Sequence, residues 1–127
     1  MKINSLKDNA FVMAAIECAF FVSTENDEPF SHFGFSFEQI SEGSLFKISL
    51  DCHRFSLACG NFWREHGWTD EQAGHDFWLS RNGHGTGFFD RSEICGDDRV
   101  RNALQMAAES VGECNLYVGD DNMIYCE

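Results

Sequence analysis

Residues 73–91, AGHDFWLSRNGHGTGFFDR, constrain the fold of this 127-residue chain more than any other segment. Directly before them, residues 69–72 (Thr-Asp-Glu-Gln) have the pattern of a capping box, in which the threonine hydroxyl accepts the third amide and the glutamine side chain reaches back. Residues 82–83 (Asn-Gly) are a helix-stop signal, because glycine readily takes the left-handed conformation that ends a helix. The pattern predicts a helix over residues 70–81, a glycine-rich turn and a short strand near 87–90.

Three more helices are predicted from apolar periodicity. Residues 8–22 repeat apolar side chains every three or four positions, behind a capping Asp or Asn. Residues 44–66 carry a single apolar stripe with the same steps, followed by a glycine that suits a helix end. A last helix is capped by Asp97 or Asp98 and ends at Gly112.

The C-terminal residues have the pattern of a β-hairpin, because two apolar runs, residues 116–118 and 123–125, flank the polar turn 119–122. The predicted strand near 87–90 supplies a third strand. The predicted fold class is α+β, with about four helices packed on a small antiparallel sheet. The length and the single proline favour one compact domain over residues 1–127.

The chain carries 21 acidic and nine basic side chains, a formal net charge of −12. Such a charge repels a phosphate backbone, so direct binding to DNA or RNA is not expected. The imbalance is greatest after Arg101, where basic residues cease and acidic ones continue. The negative charge serves solubility alone, or it forms an acidic face for a partner with a basic surface, such as a nucleic-acid-binding protein. The carboxylates proposed for such a face are Asp97, Asp98, Glu109, Glu113, Asp120 and Asp121.

Six cysteines in a short chain invite a disulfide framework, but their setting argues against one. Cys18, Cys52 and Cys59 fall on apolar helical faces, where a free thiol packs as a small apolar group. The N-terminus leads into no long apolar region with a cleavage site, and the apolar run 11–22 is interrupted by Glu17 and too short to span a bilayer. We therefore expect a reduced, cytoplasmic protein without a membrane segment.

The polar side chains of the glycine-rich segment allow four interpretations. A phosphate cradle is disfavoured, because the loop follows a helix and so meets the negative end of its dipole. A metal site on His75, Asp76 and His84, completed by His66 or Asp90, is also disfavoured. Adjacent helical residues point about 100° apart, and the chain has no Cys-x-x-Cys or His-x-x-x-His pair. No metal and no cofactor are expected.

Catalysis is the third interpretation, with His84 beside Asp76 and Asp90 as a candidate general base. A small metal-dependent or His/Asp-based hydrolase, with His75, Asp76, His84 and Asp90 in its site, therefore stays open as the alternative function. The fourth and preferred interpretation is structural, because polar groups in a packed corner usually hydrogen-bond one another. In this clasp the side chains that fasten helix, turn and strand are His75, Asp76, Arg81, Asn82, His84 and Asp90.

Aromatic side chains are numerous around this segment, and most of them are predicted to form the core. Trp63 and Trp68 lie off the main apolar stripe of the long helix, so they are the candidates for exposed rings that anchor a partner. An exposed ring beside carboxylates would combine apolar area with charge at one binding surface.

The motif of residues 73–91 closely resembles the central motif of a family of small uncharacterised proteins encoded by bacteriophages and plasmids. Residues 17–20 (ECAF) and 51–55 (DCHRF) are similar to the family's N-terminal helix and central helix, and residues 116–121 together with 124–125 are similar to its C-terminal hairpin. Phe89 departs from the pattern, since the family commonly has tryptophan there, and the cysteine content is peculiar to this chain.

The resemblance implies an origin rather than an activity, because the family has no established catalytic residues. It implies an accessory protein of a phage or mobile element that acts in the cytoplasm of a bacterial host, where such proteins often inhibit restriction or CRISPR systems. The expected function is non-enzymatic: binding and inhibition of a host nucleic-acid-binding protein or defence complex through an acidic surface.

Overall fold

A computed structural model describes residues 9–25, 27–83 and 86–127 of the chain. These residues form four α-helices and two small antiparallel sheets, which confirms the predicted α+β class. The helices are α1 (Ala10–Val22), α2 (Glu42–Glu65), α3 (Asp70–Arg81) and α4 (Asp98–Val111), and the strands are β1 (Thr24–Glu25), β2 (Glu28–Pro29), β3 (Leu116–Val118) and β4 (Ile124–Cys126). Short 3₁₀ helices lie at Phe30–Phe33, Phe37–Gln39 and Phe88–Asp90. Among the described helices, none combines the length and the apolar character that crossing a bilayer requires.

The capping side chains at three helix starts are those predicted from the sequence. The Thr69 hydroxyl accepts the amide of Gln72 at 3.1 Å, and the side chains of Asn9 and Asp97 cap α1 and α4. The second hydrogen bond of the predicted capping box, from the Thr69 amide to the Gln72 side chain, is wrong. The Gln72 side chain donates to Asp76 instead. A side chain expected to bind the start of the helix therefore binds a carboxylate one turn further along the same helix.

The packing of α1 on α3 forms the centre of the fold. The two helices approach so closely at Gly74 that a Cβ atom there would overlap the backbone oxygen of Phe11. Phe11 stacks on Trp63 of α2 with ring centroids 4.7 Å apart, and Phe55 of α2 meets Phe77 of α3 at 4.5 Å. These rings join three helices around one apolar core.

The segment near 87–90 forms a 3₁₀ helix, so the predicted third strand is wrong. The amide of Phe88 donates to the Ser80 hydroxyl at 3.1 Å, and the amide of Phe89 donates to the side-chain oxygen of Gln105 at 3.2 Å. Side chains thus satisfy the backbone groups that a neighbouring strand would otherwise bind.

The C-terminal hairpin is attached instead to the start of α2. Ile40 forms a parallel bridge with Ile124, whose carbonyl accepts the Ser41 amide at 2.9 Å. The Cys126 amide donates to the Ser44 hydroxyl, also at 2.9 Å. The strand partner that the sequence assigned to the glycine-rich segment therefore comes from the residues before α2.

A disulfide joins Cys114 and Cys126 across the hairpin, so the expectation that all cysteines are reduced is wrong for this pair. Asn115 and Glu127 exchange backbone hydrogen bonds and extend the pairing of β3 and β4 by one position. This register brings the two cysteine Cα atoms to 5.8 Å, a separation that suits a disulfide. The free cysteines are Cys18, Cys52, Cys59 and Cys95.

Gly74→Ala tests the close contact of α1 and α3. The added methyl group has no room beside the Phe11 carbonyl, so we expect a loss of about 1–3 kcal/mol in the free energy of unfolding, as for other overpacked cores. Gly43→Ala is the control, because no atom lies within 4 Å of a Cβ at this position in α2. It should be neutral or stabilise the helix by about 0.5–1 kcal/mol. Urea denaturation followed by circular dichroism measures both, and equal midpoints would contradict the packing.

Thiol titration in denaturant tests the disulfide. The protein purified without reductant should show four reactive thiols, and the reduced protein six. Cys126→Ser should lower the unfolding free energy of the oxidised protein by about 2–4 kcal/mol, because the cross-link restricts the unfolded chain. Cys59→Ser, at a half-buried free thiol, is the control and should have a smaller effect. Six reactive thiols without reductant would rule the bond out.

Candidate functional site

The carboxylate of Asp76 is the centre of the polar network in the 73–91 segment, and it is fully buried. Trp68 Nε1 donates to Oδ2 at 3.1 Å, Gln72 Nε2 donates to Oδ1 at 3.0 Å, and an Arg91 nitrogen lies 2.8 Å from Oδ1. The hydrogen bond that Arg91 donates to Asp76 raises the pKa of the Arg91 guanidinium, which therefore stays charged. A buried charge is tolerated when it is paired and hydrogen-bonded in this way.

Arg81 holds the other end of α3, with its side chain completely buried. Its Nη2 lies 2.7 Å from Oδ2 of Asp51 in α2, and its Nε donates to the Gly112 carbonyl at 2.8 Å. The guanidinium also lies over the rings of Phe77 and Trp78. Arg81 therefore ties the end of α3 to α2 and to the end of α4.

Ser80 and Asn82 connect the glycine-rich turn to its surroundings. The Ser80 hydroxyl donates to Gln105 of α4 at 2.8 Å, and the Asn82 side-chain oxygen accepts the Cys114 amide at 2.8 Å. Gly87 has a φ of 142° and lies directly against Ser80, where a side chain has no space. Close packing and the positive φ thus both require glycine at this position.

The residues of the alternative catalytic site form no hydrogen-bonded catalytic arrangement within the described part of the chain. Both oxygens of Asp76 already accept hydrogen bonds. His75 is partly exposed, and its Nδ1 lies 3.8 Å from Asp76 without a hydrogen-bond partner. Asp90 is exposed and makes no ion pair among the described residues, and His84 lies outside them. Asp76 is therefore a hydrogen-bonded member of the network, whereas His75 and Asp90 are not.

Trp63 and Trp68 are only 0% and 3% exposed, so their interpretation as exposed anchors is wrong. Trp63 follows Cys52 by about three helical turns and therefore lies on the same buried face of α2. Phe21 and Phe89 are instead exposed, at 73% and 45%, and sequence reasoning did not single them out as anchors. The available signal for Phe21 was its position off the apolar spacing of α1.

Half of the carboxylates proposed for an acidic face are already used within the protein. Arg99 binds Asp97 at 3.2 Å, and Asp98 accepts a hydrogen bond from a buried arginine of α4 at 2.6 Å. The Tyr125 hydroxyl donates to Asp121 in the hairpin turn. The hydrogen bonds from Arg99 and Tyr125 lower the pKa of Asp97 and of Asp121, so both carboxylates are ionised but engaged.

The other proposed carboxylates, Glu109, Glu113 and Asp120, are exposed and make no side-chain hydrogen bond or ion pair within the described residues. Glu109 lines a shallow cleft of about 370 Å³ together with Asp90 and the exposed ring of Phe89. The remaining described residues of this lining are neutral: Gly83, Thr86 and Gln105. The cleft therefore combines two carboxylates and an aromatic ring, with no basic residue among its described lining.

Among the described residues, no group of three or more His, Cys, Asp or Glu side chains is placed to hold a metal ion. Comparisons of the chain with protein-family models, curated proteins and solved structures found no match. The resemblance of the 73–91 motif to a family of phage and plasmid proteins therefore stays an expectation.

Asp76→Asn tests the clasp. It leaves the Arg91 guanidinium without its counter-charge, and we expect a loss of about 2–4 kcal/mol in the free energy of unfolding, somewhat less than for a fully buried pair. Asp90→Asn removes the same charge from an exposed position and should change stability by less than about 0.5 kcal/mol. Urea denaturation at neutral pH measures both variants. Similar stabilities would show that Asp76 does not hold this corner together.

Proposed function

We propose that this protein is a non-enzymatic accessory protein of a phage or mobile element that binds a basic surface of a host protein. In its concrete form, it inhibits a nucleic-acid-binding defence complex such as a CRISPR or restriction system. The origin and the class of target are suggested by the resemblance of the 73–91 motif. The mode of binding is suggested by the distribution of charge on the folded chain.

The observation that carries the proposal is a set of uncompensated carboxylates in the C-terminal part of the chain. No basic residue follows Arg101 in the sequence. Glu109, Glu113 and Asp120 are exposed and unpaired within the described residues, and Asp90 shares a cleft with Glu109. Glu109, Glu113 and Asp120 therefore present negative charge that no ion pair of the described chain neutralises, and Asp90 adds its charge to that of Glu109 in the cleft.

Such a surface suits the basic residues with which a partner holds nucleic-acid phosphates. Its carboxylates attract lysine and arginine side chains, and the exposed ring of Phe89 adds an apolar contact at the edge of the cleft. The same charge repels DNA and RNA, so the protein would compete with nucleic acid for the partner without binding it. Because salt screens exposed charges, the complex should be sensitive to ionic strength.

Affinity purification from bacterial cells that carry the gene identifies the partner, and the purified pair then tests the binding mode. The affinity should fall about tenfold or more as salt rises from about 50 to about 300 mM, because the Debye length shortens over this range. An affinity that does not change with salt would contradict binding by charge.

Paired variants locate the surface. Asp90→Asn with Glu109→Gln should weaken the complex by about tenfold, because both carboxylates of the cleft lose their charge. Glu42→Gln with Glu65→Gln is the matched control, since it removes equal charge from exposed positions at the two ends of α2. Equal loss in both variants would point to net charge alone, and no loss in either would remove the cleft from the proposal.

A further inference from the structure

A separate and larger cleft, of about 490 Å³, lies between α1 and the first half of α3. Its walls include Glu17 and Phe21 from α1, Glu71 and His75 from α3, and Arg91 from the segment after the last 3₁₀ helix. The acidic C-terminal surface described above does not include any of these side chains. The cleft is therefore a second candidate for contact with a ligand.

The two glutamates determine the charge that this cleft presents. Glu17 and Glu71 are exposed and make no ion pair or side-chain hydrogen bond within the described residues. Arg91 does not offset them, because its guanidinium already lies 2.8 Å from the buried carboxylate of Asp76. The cleft thus offers two carboxylates without a cation of its own to bind them.

Phe21 gives the cleft an aromatic face beside these carboxylates, since its side chain is 73% exposed. Cys18 lines the same cleft, and burial raises the pKa of its thiol to about 12, so it adds neither charge nor a nucleophile. Beyond Ala14 there is a further hollow of about 260 Å³, which is again lined by Glu17 and Glu71. The whole groove is therefore longer than one side chain needs.

We propose that the α1–α3 cleft binds an arginine side chain from a basic segment of the partner protein; this inference rests on the proposed function and names a specific contact for it. A guanidinium is flat and always charged, so it can stack on the ring of Phe21 while its N–H groups bind Glu17 and Glu71. A lysine ammonium lacks the flat face and the fork of donors that make paired contacts with carboxylates. The further hollow accommodates the chain that flanks the arginine.

An NMR titration of the isotope-labelled protein with a short blocked peptide of alternating arginine and glycine tests this site. The largest shifts are expected at the amides around Glu17, Phe21 and Glu71. Replacing arginine by lysine in the peptide should weaken binding severalfold, because the stacking and the paired hydrogen bonds are lost.

Variants of the protein separate the site from general acidity. Glu17→Gln with Glu71→Gln should weaken binding of the arginine peptide about tenfold, and Phe21→Ala should weaken it severalfold. The variant with Glu42→Gln and Glu65→Gln carries the same net charge as the double cleft variant and should bind as the unaltered protein does. Circular dichroism of each variant shows that it is folded.

The outcomes distinguish this inference from the proposed function. Shifts confined to the surroundings of Asp90 and Glu109 would overturn the cleft assignment and leave the proposed acidic surface standing. Equal binding of the lysine and arginine peptides, equal affinity of the two double variants, or no shifts at all would also overturn it. The proposed function fails separately, if the purified partner complex is insensitive to salt.

Discussion

The arrangement of the chain around α3 depends on the hydrogen bonds and the ion pair that the buried carboxylate of Asp76 forms. A charge removed from solvent is tolerated only where donors surround it. The donors Trp68, Gln72 and Arg91 come from the turn before α3, from α3 itself and from the segment after the last 3₁₀ helix. Because Arg91 binds Asp76, the segment that contains Arg91 packs against α3. Arg91 there forms part of the wall of the α1–α3 cleft.

The basic side chains around the clasp are engaged within the fold, so unpaired carboxylates dominate the charge of the surface. Arg81 is buried against Asp51, Arg91 is bound to the carboxylate of Asp76, and Arg101 donates to backbone carbonyls beneath the surface. These cations are matched inside the fold, whereas many carboxylates remain outside without partners. The resulting field favours a basic partner, and both clefts combine such carboxylates with an exposed phenylalanine.

Much of the fold could be predicted because its signals act over a few residues. Thr69 and Asp97 cap their helices as their positions suggest, and apolar spacing located α1 to α4 to within two residues. The choice of partner for each polar group could not be predicted in the same way. Gln72 has a local acceptor role in a capping box, yet a buried carboxylate within reach is the better partner for its amide. The burial of Trp63 likewise depends on which elements pack against its face of α2.

The sequence by itself determined the helix limits to within two residues, the hairpin and the net charge, since these follow from local hydrogen bonding, periodicity and composition. Only the tertiary structure decided that residues 88–90 form a 3₁₀ helix, that Cys114 meets Cys126, and which carboxylates stay unpaired. The disulfide depends on the register of the two hairpin strands. The other two outcomes depend on the packing of helices, which brings together groups that lie far apart along the chain. No signal confined to one short segment contains that information.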